Sequence, residues 1–323
     1  MRKALAVMTS AVGAILALAA PVAAQEYPTK PVRVIIPFPP GGSNDVVGRM
    51  IITGLGEKLG KSAIIDNRAG AGGVVGTEVA AHSPPDGYTL LIISLAHAVN
   101  PWLYPKLNYD PLKSFEPIAI VGAGPIVLVV HPGVPAKSVK ELLALAQKDP
   151  GKLNMAHAGI GSFQHLGGAL FLLMSKVDIV QIPFKGGGPS MIDVVGGHSQ
   201  VMMSSLVQTT GHIRSGKLVA LGVGGKARSP VLPDIPTIDE AGVPGYEAVN
   251  WWGVVAPAGT PKPVIEKLYA ALTAVQDSAA IKDAFAREGA DVVKKTTPEF
   301  GAFIETELAK WQRVVKDANI KAE

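Results

Sequence analysis

Residues able to do covalent chemistry occur in this sequence, but not at the spacings such chemistry needs. Ser162 follows Gly161, yet position 160 is Ile and position 164 is Gln, so no G-x-S-x-G nucleophile elbow forms. Gly70-Ala71-Gly72-Gly73-Val74-Val75-Gly76 places valine where G-x-G-x-x-G needs its third glycine. Gly224-Gly225-Lys226-Ala227 has Ala220 in place of the first P-loop glycine and no Ser or Thr after the lysine. The 7 histidines form no metal-ligand pair at i, i+4, and there is no cysteine for a nucleophile, a thiolate site or a disulfide. Three histidines, His97, His157 and His165, lie near glycine loops, where they can line a pocket, serve structure or move a proton. Asp45 could be a general base, or could favour the first turn of a helix through its dipole. Ser162 reads as a cap or ligand donor before a nucleophile. Arg33, Arg49 and Arg68 can each clamp a carboxylate or close a salt bridge.

What remains is non-covalent chemistry by backbone. A β-branched run over 32–36 stops at Pro37-Phe38-Pro39-Pro40-Gly41-Gly42. Ser43 or Asn44 is then a suitable N-cap, and Val46, Val47, Met50, Ile51, Leu55 and Leu59 recur at helical spacing until Gly60. Free N–H groups at such a helix start favour an anion, although an ordinary strand-to-helix turn has the same pattern. The unit of strand, glycine loop and helix recurs. A strand over 63–65 precedes the Gly70–Gly76 loop, one over 153–156 precedes Gly159-Ile160-Gly161-Ser162, and one over 179–182 precedes Lys185-Gly186-Gly187-Gly188-Pro189. Further strands are expected over 88–93, 116–121, 126–130, 200–203, 219–223 and 250–256. Ser138 and Glu141 make a capping box, and Thr260-Pro261 and Thr297-Pro298 open C-terminal helices. Alternating strands and helices predict an α/β fold with largely parallel sheets, and the loops should gather at the carboxyl ends of the strands. Trp251 and Trp252 share one strand, so one ring can serve the core and the other a pocket wall.

The chain has 323 residues, 48% of them hydrophobic, enough for two domains with large cores. Arg2 and Lys3, an apolar stretch over 4–18 and the small-residue end at Val22-Ala23-Ala24 read as a secretory signal peptide of residues 1–24. Its removal leaves 28 basic against 26 acidic residues, a charge of about +2. No block of five Lys or Arg occurs, so nucleic acid is not an expected partner. No second apolar stretch is long enough to span a membrane.

In order and spacing, these stretches resemble the periplasmic solute-binding receptors of tripartite tricarboxylate transporters, the TctC-like or Bug receptors. The resemblance is carried by Pro28–Pro31 with 33–37, Gly41-Gly42 with Asp45, Asn67-Arg68 with the Gly70–Gly76 loop, and Pro85-Asp86-Gly87-Tyr88-Thr89-Leu90. It continues in Gly161-Ser162 with Gln164-His165-Leu166, Lys185–Pro189, His212-Ile213-Arg214-Ser215-Gly216-Lys217, 233–237 with Glu240-Ala241-Gly242, and Trp252-Gly253 with 256–261.

The resemblance implies a periplasmic binding protein-like fold: two α/β lobes joined by two crossing strands, with a ligand cleft between them. Residues 25–122 plus 250–323 would form lobe 1 and residues 123–249 lobe 2, with hinges near 121–125 and 249–253. It also implies an open form that closes on a small organic carboxylate, delivery to membrane permease subunits, a monomeric state, and neither catalysis nor a cofactor. Carried over, Phe38, Gly41, Gly42, Ser43 and Asp45 would form one wall, adjoined by Asn67, Gly70, Ala71, Gly72 and Gly73. Ser94, Ala96 and His97 would line the floor, and Gly161, Ser162, His165, Lys185, Gly186 and Gly187 would close from the second lobe, with Ser204 at the end of its strand. Relatives often carry Asn, Ser or Thr where this chain has Ile160, which implies a less polar pocket. Many carry Asp or Asn where it has Ser204, which disfavours an α-amino acid ligand. A secreted α/β enzyme using Asp45 or His165, and a receptor feeding a signalling sensor, are the rival readings.

Overall fold

The computed structural model describes residues 27–317 and residue 320, so the expected signal segment 1–24 lies outside the described residues. Strand β1 (Val32–Ile36) lies between β2 (Ala63–Asn67) and β3 (Thr89–Ser94), and both pairings are parallel. Val34 and Ile36 point into one hydrophobic cluster and Ile35 into another. A sheet covered on both faces needs such continuously apolar strands. Helix α1 (Ser43–Leu59) packs Val47, Ile51 and Leu55 onto that sheet and stops at Gly60, which takes the left-handed conformation with φ of 68°. After a short 3-10 turn at Ala71–Gly73 come α2 (Val74–Ala81) and, following β3, α3 (Leu95–Leu103).

The next strand, β4 (Phe115–Val130), differs from the expectation of two separate strands over 116–121 and 126–130. The chain runs extended through Gly122-Ala123-Gly124-Pro125, and Gly122 allows it. A Cβ there would meet the Phe285 ring at 2.3 Å. The first half of β4 pairs with β9 (Val249–Pro257), while its second half pairs with β7 (Val201–Ser205) and β8 (Val219–Val223). β4 therefore belongs to both lobes of the α/β fold.

The second lobe adds α4 (Val139–Lys148), β5 (Asn154–His157), α5 (Phe163–Ser175), β6 (Val180–Pro183), α6 (Gly187–Val195) and α7 (Leu206–Arg214). The Ser138 hydroxyl caps α4 as its sequence implies, accepting from Glu141 N at 3.2 Å. The strand order is β2-β1-β3-β9-β4-β7-β5-β6, with β8 also on β4. The sheets are mixed. The four parallel pairings join β1 to β2 and β3, and β5 to β6 and β7. Every antiparallel pairing involves β4 or β9, the strands that pass between the lobes. Helices α8 (Lys262–Asp277), α9 (Ala279–Arg287) and α10 (Thr297–Asp317) return to the first lobe, where Leu268, Leu272 and Phe285 complete its core.

Candidate functional site

Four helices begin at one small chamber between the lobes. Its lining includes Gly42, Ser43 and Asn44 at the start of α1, and Ser94, the N-cap of α3. From the second lobe come Phe163 and Gln164 opening α5 and Gly187 opening α6, with Phe38, Ala158 and Asn250 completing the wall. Three of these helices have no side-chain cap: the N-caps Gly42, Ser94 and Gly186 supply none. Apart from Leu95 N, which donates to the Asn250 side chain, their leading N–H groups have no side-chain partner, and four helix dipoles add positive potential from both lobes. No lysine or arginine lines it. Its volume, about 20 Å³, admits one water-sized group.

The chamber is held by buried side chains. Asn44 Nδ2 donates to Ser94 Oγ at 3.1 Å, and its Oδ1 accepts from Trp252 Nε1 at 3.1 Å. Asn250 Oδ1 accepts from Leu95 N at 3.4 Å. On the opposite side Gln208 Nε2 donates to the Gly187 carbonyl at 2.6 Å, and Gln208 Oε1 accepts from Ser204 Oγ at 3.1 Å and Gln164 Nε2 at 3.4 Å. Trp252 therefore acts from the core, through Asn44. Trp251 lies on the other face, where its Nε1 donates to Glu307 Oε2 at 2.9 Å. Neither indole lines the small chamber; Trp252 is core, and Trp251 is a wall of a separate cavity of about 280 Å³.

A larger chamber of about 450 Å³ adjoins the first and shares Phe38 and Ala158 with it. Gly70–Gly73 and Tyr104 face Gly159, Ile160 and the segment from Pro183 to Gly186 across it. The lobes touch at its edges. A Cβ on Gly72, whose φ is 60°, would lie 2.4 Å from the Ile160 carbonyl, and one on Gly188 would lie 2.5 Å from the Pro40 carbonyl. Such approach of two backbones requires glycine, and it brings the two lobes into contact across the cleft.

Of the residues singled out from the sequence, Phe38, Gly42, Ser43, Ser94 and Gly187 line the small chamber. Gly70, Ala71, Gly72, Gly73, Lys185 and Gly186 line the large one, and Gly41 packs against Gly188 at the rim.

The others sit behind these walls. The Asp45 carboxylate accepts from Gly41 N and Asn67 Nδ2, both at 3.0 Å, and from Arg49 Nε at 2.9 Å. Burial pushes its pKa up, but the hydrogen bonds from Arg49, Gly41 and Asn67 and the Arg49 charge outweigh this and hold it below the usual carboxylate range. Asp45 is thus an ionised anchor for the loop, and Asn67 helps by donating to the Phe38 carbonyl at 2.9 Å. Arg33 and Arg68 both bond Asp66, so none of the three arginines faces the chambers.

His97 turns away: its Nε2 donates to the Pro111 carbonyl at 2.9 Å, and burial lowers its pKa to about 4. Ala96 is buried beside it. Ser162 caps α5, accepting from His165 N at 3.2 Å, and Gly161 donates to His165 Nδ1 at 3.3 Å. The His157 and His165 rings lie with centroids 4.7 Å apart, tilted by 36°. Burial lowers both, to about 3 and about 4, and for His157 the neighbouring His165 adds to the effect. Ser204 serves only through Gln208.

Sequence reading missed the roles of Gln164, Gln208, Asn44 and Asn250. The first two lie in the first turns of α5 and α7 and look like ordinary amphipathic positions. Asn44 could have been found, since it stands inside the first glycine-loop cluster. Among the described residues no cluster of His, Cys, Asp or Glu could hold a metal, and no helix is long and apolar enough to cross a membrane.

Two α/β lobes sharing crossing strands, with helix starts from both aimed into the cleft, define a solute-binding receptor with the periplasmic binding protein fold. The chain belongs to the tripartite tricarboxylate transporter family receptors, whose family model matches residues 47–320. It is 39% identical over 306 residues to the protein BugT of Bordetella pertussis (strain Tohama I), covering 94% of each chain. The structure of the periplasmic binding protein BugD superposes with a TM-score of 0.89 at 35% identity, over 92% of this chain and 100% of that one. A second structure, R. palustris Rpa4515 with adipate, gives a TM-score of 0.89 at 33% identity, over 92% and 100%.

Proposed function

We propose that this protein is a periplasmic receptor that captures a small organic carboxylate between its lobes, leaves it unchanged and delivers it to membrane permease subunits. The observation that carries this reading is the convergence of four helix starts, three without side-chain caps, on a chamber free of lysine and arginine. Backbone N–H groups and helix dipoles suit a carboxylate oxygen there. The structure of a relative of the same fold, R. palustris Rpa4515, is one with adipate, which supports a carboxylate for this chain too. Asp45 and His165, the groups a hydrolytic enzyme would need, are committed to internal hydrogen bonds, which supports binding without turnover. Residues 25–122 with 250–323 make one lobe and 123–249 the other, and the lobes hinge near 121–125 and 249–253. Residues 1–24 direct export and are removed.

The test is a thermal-shift screen of protein unfolded and refolded to strip co-purified ligand. Mono-, di- and tricarboxylates, aromatic acids and acidic amino acids are offered. At least one acid should raise the melting temperature, because it binds only the native state, and should be recovered chemically intact. Conversion of the acid, or no shift with any of them, overturns the reading.

A further inference from the structure

The cavity of about 280 Å³ that Trp251 walls shares Phe163 with the small chamber but has no part in the carboxylate site. Leu95 of α3, Trp251 of β9, and Trp311 and Val314 of α10 line it together with Phe163 and Leu170 of α5. Its wall is made chiefly by large apolar side chains rather than by glycine loops. Such a cavity with one convergent polar group is the usual form of a small-molecule site. The polar group is Glu307, buried on α10. Its Oε2 accepts from Trp251 Nε1 at 2.9 Å and from Trp311 Nε1 at 3.3 Å. Its Oε1 accepts no hydrogen bond among the described residues, and the Lys310 ammonium stands off at 3.8 Å. An oxygen in a buried side chain calls for a donor, and an occupant of the cavity can supply it.

We infer that this cavity is a second ligand site, for a small neutral molecule with an apolar body and one hydroxyl or N–H donor, and that Glu307 Oε1 receives the donor. This goes beyond the carboxylate reading and does not depend on it. The walls ask for an apolar body without choosing between a saturated and an aromatic one. The charges on the lining disfavour an ion, because Glu247 and Glu307 are matched by Lys295 and Lys310. An anion would meet Glu307. An ammonium would give up its water for a carboxylate that already has two indoles and Lys310. A hydroxyl makes a charge-assisted hydrogen bond at a far smaller desolvation cost.

Cyclohexanol, cyclohexanone and cyclohexylammonium share one body and differ in the polar group, so titration of the refolded protein with each, followed by tryptophan emission, tests this. Cyclohexanol should bind saturably with a dissociation constant of about 1 mM or below. It should bind at least about fivefold tighter than cyclohexanone, which has no donor, and than cyclohexylammonium. Val314→Phe fills the cavity from a half-buried helix position and should weaken cyclohexanol about tenfold or more, with an unchanged melting temperature showing that the variant is folded. Leu170→Phe serves if that variant does not fold. Glu307→Gln keeps an oxygen for the indoles and turns a donor towards the cavity, so the preference should reverse in favour of cyclohexanone. No saturable binding of cyclohexanol, or binding that the filling variants leave unchanged, overturns the site. Equal affinity for alcohol and ketone, or a tighter ammonium, overturns the role of Glu307. Each of these results leaves the carboxylate receptor standing, and failure of the acid screen leaves this site standing.

Discussion

At the scale of single residues, the cleft is shaped by side chains that never touch its interior. Asp45 is the clearest. Its carboxylate fixes the Gly41 N–H, Asn67 and Arg49 together, and through Asn67 the Phe38 carbonyl. Asp45→Asn removes the charge and replaces an acceptor oxygen by a donor facing other donors. It should cost about 1–3 kcal/mol of stability in urea unfolding and weaken ligand binding about tenfold or more, by releasing the loop that carries the α1 start. A variant with wild-type affinity would show that the loop holds itself.

The histidines give a pH prediction. His97, His157 and His165 have folded-state pKa values of about 4, about 3 and about 4, below the ordinary 6.5. As pH falls, the unfolded chain binds these protons first, so stability drops wherever the unfolded state holds more of them. Their cost is absent above about pH 7 and grows as pH falls from about 6.5 towards 4, amounting to several kcal/mol together. The melting temperature should fall steeply between pH 7 and pH 4.5; a flat profile would mean that these rings are hydrated in solution.

At the scale of elements, four helix starts meet at the cleft, and glycine permits their approach. Gly188 has an ordinary helical backbone, but a Cβ on it would lie 2.5 Å from the Pro40 carbonyl of the other lobe. Gly188→Ala should therefore obstruct closure without disturbing either lobe. Ligand affinity should drop at least tenfold, while the unliganded melting temperature stays within about 2 °C. Loss of both together would mean that the substitution damages the second lobe itself. This scale was also the most legible in the sequence. The glycine loops, the Ser138 cap and the Gly60 terminator are local chemistry, and local chemistry can be read along a chain; the cap expected at Ser43 or Asn44 is instead Gly42, which offers no side chain, and both residues lie inside the helix. The union of two expected strands into β4 was not legible. Gly122-Ala123-Gly124-Pro125 looks like a turn, and only packing against Phe285 and pairing with β9 keep it extended.

At the scale of the whole molecule, the α/β class and the glycine loops were readable, whereas the partition of residues between cleft wall and supporting layer was not. His97 and His165 have the chemistry of a binding site, and sequence distance placed them beside its loops. Which way each ring points depends on long-range partners such as Pro111 and His157, which no local pattern specifies. The antiparallel pairings of β4 and β9 likewise follow from two lobes sharing strands, a global requirement. The cross-cleft approaches at Gly72 and Gly188 bring the lobes into contact, and the receptor proposed above would have to open about its shared strands to exchange ligand.

The most direct measurement is small-angle scattering of the stripped, refolded protein during titration with the acid that gives the largest thermal shift, with recovery of that acid at the end. A saturable decrease in radius of gyration at one equivalent, with the acid returned unaltered, is the result expected of a receptor that closes on its ligand. An unchanged radius at saturation would contradict closure, and a chemically altered acid would contradict binding without turnover.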